Sequence, residues 1–77
     1  MSEPTYKLIL IECLLAENSS FQQWLTQTLG DEEKALEARR NLPAVILEGT
    51  FNQVNVARHV ALMGWAWGLK LFIKEPD

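Results

Sequence analysis

The segment from Thr50 to Lys74 constrains the fold most, because its apolar pattern changes from helical to strand-like at one glycine. Thr50 and Gln53 have the spacing of a capping box, which marks the start of a helix. After Gly68 the apolar period falls to two, as in a half-exposed strand. We therefore predict a helix that begins at Thr50, ends at a left-handed Gly68 and leads into a strand at about residues 69–74.

The predicted helix carries an apolar arc somewhat wider than half of its circumference. At about 100° per residue, the arc contains Val54, Val56, Ala57, Val60, Ala61, Met63, Gly64, Trp65 and Trp67. We predict that this arc is buried, and that Val60 and Trp67 join Trp24 in the core. On that interpretation the substitution Trp67→Ala costs about 3–5 kcal/mol of stability.

The opposite face of the same helix is more polar and includes Asn55, Arg58, His59, Leu62 and Ala66. Leu62 and Ala66 lie one turn apart, so they form a small apolar centre with a polar rim, as in a protein interface. A two-fold axis through Leu62 would pair the helix with its own copy. The pattern thus predicts a homodimer, with Leu62 outside the core.

Two further strands are predicted at about residues 5–13 and 44–48. The first is apolar on both faces, which is typical of a central strand, whereas Lys70 and Lys74 mark the last strand as an edge. A helical connection broken at Gly30 joins the first two strands. This order predicts a small three-layer βαβαβ domain of the α/β class. Its mainly parallel sheet would have the order 2-1-3, with helices on both faces.

Length and composition limit the possible functions. The 77 residues predict a single domain, 1–77, in which 48% of the residues are hydrophobic. That content is high for so small an interior, so part of it is expected at an interface. The net charge of −3 disfavours binding to nucleic acid.

Localisation is predicted from cysteine usage and hydropathy. The single cysteine, Cys13, cannot form an internal disulfide, which favours a reducing cytoplasm. No apolar run approaches the roughly 20 residues of a membrane span, so no membrane partner is expected. One histidine and one cysteine fall short of the usual three or four metal ligands, and neither a metal nor a cofactor is predicted.

Catalytic patterns are weak in this sequence. Cys13 and His59 fall on different elements, Cys13 on a buried strand face and His59 on an outer helix face. Glu12 and Glu48 each lie near the carboxyl end of a predicted strand, where an acid and base pair could act on a ligand. The leading hypothesis is a non-enzymatic protein interaction or regulatory module that self-associates. The alternative is a small enzyme or ligand-binding domain that uses Glu12 and Glu48.

Overall fold

The computed structural model of the chain describes residues 4–14 and 19–76. Its strands lie where the sequence predicts them, and a short 3-10 turn follows the last helix. The elements in chain order are β1 (Tyr6–Cys13), α1 (Ser19–Leu29), α2 (Glu32–Arg40), β2 (Ala44–Gly49), α3 (Phe51–Trp65), the 3-10 turn (Ala66–Gly68) and β3 (Leu69–Lys74).

The three strands form one sheet in the predicted order β2-β1-β3, with β1 in the centre. Both neighbours of β1 run antiparallel to it, so the prediction of a mainly parallel, doubly wound sheet is wrong. In the register, Leu8 lies opposite Leu47 on one side and Ile73 on the other. The chain is a small α+β fold.

The turn at Gly30 explains the direction of β2. Gly30 has a φ of 81°, a left-handed conformation that glycine adopts without steric cost. The turn divides the β1–β2 connection into α1 and α2, which pack against each other. A single helix would return the chain to the start of β1, whereas the second helix carries it back to the other end. The strand β2 therefore runs antiparallel to β1.

The helices cover only one face of the sheet, so the expected three-layer arrangement is also wrong. A single core cluster draws residues from β1, β2 and all three α-helices: Leu8, Leu10, Phe21, Leu25, Ala35, Ala38, Ile46 and Val54. On the other face, Ile11, Val45 and Phe72 are exposed. An antiparallel sheet can remain in solvent on one side in this way.

An aromatic cluster joins α1 to the end of α3. The Phe21 ring meets the Trp65 ring edge-on at 5.3 Å between centroids and stacks on Trp24 at 5.8 Å. Trp24 and Trp65 are 6.0 Å apart. Contacts of this kind contribute about 0.5–1.5 kcal/mol each beyond area burial. Trp24 is half-buried and packs against the core, close to its predicted position.

The start of α3 matches the sequence prediction and its end does not. The Gln53 amide donates to Thr50 Oγ1 at 3.2 Å, and the Thr50 amide donates to Gln53 Oε1 at 2.9 Å, which completes the capping box. Within the described residues only Gly30 has a positive φ, so the left-handed conformation predicted for Gly68 is wrong. The helix instead ends at Trp65, whose φ of −137° and ψ of 27° are not helical, and the 3-10 turn follows before β3 begins.

The predicted burial of α3 is wrong for half of its apolar arc. Val54 and Ala61 are fully buried, and Ala57 and Trp65 pack against the core. The apolar arc takes up more of the helix circumference than the narrow sheet can contact. The helix therefore packs on the sheet through only one side of the arc. The other side is exposed and contains Val56, Val60, Met63 and Trp67.

This packing predicts opposite outcomes for two aromatic substitutions. Phe21→Ala should lower the free energy of unfolding by about 3–5 kcal/mol, because the Phe21 side chain is completely buried. Trp67→Ala should leave the stability of the monomer nearly unchanged, since Trp67 is 73% exposed. Denaturant unfolding of both variants measures the difference, and equal losses would place Trp67 in the core.

Candidate interaction surfaces

The outer side of α3 and its 3-10 turn carries a line of exposed apolar side chains, the α3 stripe. Val56 is 52% exposed, Val60 46%, Met63 78% and Trp67 73%. Within α3, the spacing of Val56, Val60 and Met63 is that of the a and d positions where one helix packs against another, and Trp67 follows in the 3-10 turn. Most of their apolar surface has no partner within the described part of the chain, so the stripe is a candidate docking surface.

Gly64 leaves a recess within the α3 stripe. A Cβ atom at this position would have no neighbour within 4 Å outside its own stretch of helix, so no internal packing requires a glycine. Glycine nevertheless costs a helix about 0.5–1 kcal/mol relative to alanine. Val60, Met63 and Gly64 occupy positions i, i+3 and i+4 of α3, which can border a hole for a side chain of another helix, and Trp67 lies in the 3-10 turn beyond them.

The interface residues predicted from the sequence lie beside this stripe. His59 and Ala66 are exposed, whereas Asn55, Arg58 and Leu62 are half-buried. Leu62 is therefore less accessible than any member of the α3 stripe. A homodimer centred on Leu62 stays a prediction.

Sequence reasoning missed the stripe because it placed Val60 and Trp67 in the core. The feature of the sequence that indicates an exposed stripe is the width of the apolar arc on α3. An arc wider than half of a helix cannot be covered by a sheet on one side, so part of it must lie in solvent or against another molecule.

A second surface is a groove between the edge strand β2 and the two preceding helices, the β2 groove. It consists of two adjoining cavities of about 300 and 460 Å³. Leu29, Lys34 and Val45 line both of them. Glu37 and Asn41 lie in the smaller cavity, and Leu47 and Glu48 in the larger. The groove thus combines an apolar strand with one central lysine.

The uncovered face of the sheet has a short apolar row between charged ends. Ile9 lies opposite Val45 on one side and Phe72 on the other. Lys7 lies opposite Glu48 on one side and Lys74 on the other, and Glu12 lies opposite Lys70. Opposite charges across neighbouring strands stabilise a sheet modestly, which accounts for these residues without a ligand.

The two carboxylates of the alternative site are not brought together. Glu48 lies opposite Lys7 and Glu12 opposite Lys70, so they occupy opposite ends of the sheet. Lys7 and Glu12 are five residues apart along β1, which corresponds to about 16 Å of strand. The antiparallel direction of β2 causes this separation, and it removes the common strand edge on which the alternative depends.

In the part of the chain that the structure describes, the other polar groups form no recognisable catalytic arrangement. His59 is exposed on α3, as the sequence predicts, whereas Cys13, expected on a buried strand face, is half-buried on β1. Within residues 4–14 and 19–76, no group of three or more His, Cys, Asp or Glu side chains could hold a metal ion. A cavity of about 480 Å³ lies beside α1 and is lined mainly by Ser, Thr and Gln side chains with Glu32.

Comparisons with known protein families, with characterised proteins and with solved structures found no significant match. Among the described helices, none is both long and apolar enough to cross a membrane. The function of the chain is therefore inferred from its own surfaces.

The geometry of Gly64 predicts that Gly64→Ala stabilises the monomer by about 0.5–1 kcal/mol, because alanine fits an open helical position at lower entropic cost. Gly30 is the matched control. There a Cβ also meets nothing within 4 Å, but the positive φ should make Gly30→Ala destabilising by about 1–2 kcal/mol. Thermal unfolding of dilute protein distinguishes them, and a destabilised Gly64→Ala variant would contradict the described surface of α3.

Proposed function

We propose that the protein is a non-enzymatic protein–protein interaction module that self-associates through the α3 stripe. The observation that carries this proposal is the exposure of Val56, Val60 and Met63 along one side of α3, together with Trp67 in the turn that follows the helix. Burial of such side chains is the main driving force for association between proteins. Their spacing favours a helix as the contacting element.

A second copy is the partner that best fits the stripe. In an antiparallel pairing about a two-fold axis, Val56 would face Trp67 of the second copy, and Val60 would face its Met63. Each contact then joins a small β-branched side chain to a large one, the pairing of sizes that fills an interface without voids. A parallel pairing would instead place the two large Trp67 rings against each other.

The position of the axis links this arrangement to the dimer predicted from the sequence. The antiparallel pairing is centred level with Ala61 and Leu62, so the axis crosses α3 at the predicted height but on a different side. Gly64 lies beside this centre and would let the two helices approach closely. The interface remains isologous, since one surface meets its own copy.

Electrostatics also permits the pairing. Val56, Val60, Met63, Gly64 and Trp67 are uncharged, and α3 contains no acidic residue. With Arg58, α3 has a formal charge of +1, so the rest of the chain carries −4, and no charged side chain lies within the stripe. An apolar contact with a polar rim is the usual composition of a dimer interface.

Substitution of Met63 by glutamate tests the proposal. Met63→Glu should raise the dissociation constant of the dimer at least about 100-fold, because each dimer would bury two carboxylates without partners. The fold should be unchanged, since Met63 is 78% exposed. Sedimentation velocity over a range of concentrations measures the dimer, and circular dichroism checks the fold.

Phe72→Glu is the matched control, because Phe72 is exposed and apolar but lies on β3, away from the stripe. It should leave the dimer intact. A wild-type protein that is monomeric at high concentration would rule out self-association. If the dimer survives Met63→Glu but is lost with Leu62→Glu, the interface is the face around Leu62 that the sequence predicts, and not the α3 stripe.

A further inference from the structure

From the shape and charge of the β2 groove, we infer that it binds an extended peptide segment, which adds to the sheet as a fourth strand and places a carboxylate at Lys34. The site is separate from the proposed dimer surface, because no residue of the α3 stripe lines the groove. It adds a second kind of partner, a strand of another protein with one central carboxylate.

The two edges of the sheet differ in their protection against strand addition. Lys70 and Lys74 are exposed on β3, and charged edge residues discourage pairing. On β2, the sequence from Ala44 to Leu47 is entirely apolar, with one acid, Glu48, near the end. Edge strands have backbone groups that an incoming peptide can pair with, so β2 is the more accessible edge.

The strand β2 contains a bulge, which is compatible with the addition of a peptide strand at this edge. The register with β1 shifts between Leu8 and Ile9, and Ile46 is the extra residue on β2. Ile46 is only 2% exposed, so the bulged residue anchors the strand in the core. Bulges are common beside binding sites, where they redirect neighbouring side chains. Val45, next to Ile46, is 42% exposed and lines both cavities.

The strand β2 is long enough to pair with a short peptide strand. The six residues of β2 extend for about 20 Å, which matches a peptide of similar length. The helical wall opposite β2 is formed by Thr28 and Leu29 of α1 and by Lys34 of α2. In this mode of recognition, backbone hydrogen bonds supply affinity and the alternate side chains of the peptide enter the cavities.

Charge defines the chemistry of the peptide. Lys34 lines both cavities and so lies where they adjoin, whereas Glu37 lines only the smaller one and Glu48 only the larger. A complementary peptide therefore has a carboxylate in its centre and no acid at either end. A charge-assisted contact of this kind is stronger than one between neutral groups.

The test uses a fluorescein-labelled peptide of alternating valine and threonine with one central glutamate, titrated with the full chain. Binding should be saturable, and replacing the central glutamate by lysine should weaken it at least about tenfold. A version with N-methylated backbone amides should bind much more weakly, because it cannot pair with β2. Amide exchange measured by NMR should show new protection in Ala44–Gly49.

Two matched charge reversals locate the site. Lys34→Glu should weaken binding of the glutamate peptide at least about tenfold, and Lys70→Glu should leave the affinity unchanged, because Lys70 is on the opposite edge. Sedimentation of both variants should still show the dimer, which separates this site from the α3 stripe. Absence of binding at millimolar peptide, or loss with Lys70→Glu rather than Lys34→Glu, would overturn the inference.

Discussion

The left-handed turn at Gly30 is the constraint on which the rest of the structure depends. It converts one crossover connection into the α1–α2 hairpin, so β2 returns antiparallel to β1. The single helix α3 then carries the chain across β1, and β3 runs in the same direction as β2. All helices meet one core cluster on one face of the sheet, because their buried residues join a single group.

This one-sided packing leaves more apolar surface than the core can cover. A chain of this length buries only about 60–65% of the surface exposed by its unfolded form. The interior is filled by Leu8, Leu10, Phe21, Leu25 and their neighbours, and most of the Met63 and Trp67 surface lies outside it. These two side chains contribute little to the folded monomer, and their exposure supports the proposal that the α3 stripe associates with another copy.

Local sequence patterns predicted the helices and strands. Strand direction and the buried side of α3 depend instead on long-range packing. The capping box at Thr50, the turn at Gly30 and the alternation from Leu69 to Lys74 depend on neighbouring residues, and each indicated its element correctly. Strand direction depends on where a whole connection ends, which spacing does not encode. The phase of α3 was ambiguous because its apolar arc exceeded half a turn, and only docking on the sheet separated Val54 and Ala61 from Val60 and Trp67.

Local sequence patterns could not predict the candidate surfaces for the same reason. Glu12 and Glu48 are a plausible pair only in a parallel sheet, and the antiparallel register sends them to opposite ends. The β2 groove could not be read from sequence either, because Lys34 and Val45 come from elements that meet only after the α1–α2 hairpin folds back. The α1–α2 hairpin, which makes β2 antiparallel to β1, thus also forms the helical wall of the β2 groove. A shift of α2 away from β2 would open that wall while leaving α3 docked, so the two surfaces depend on different contacts of one small core.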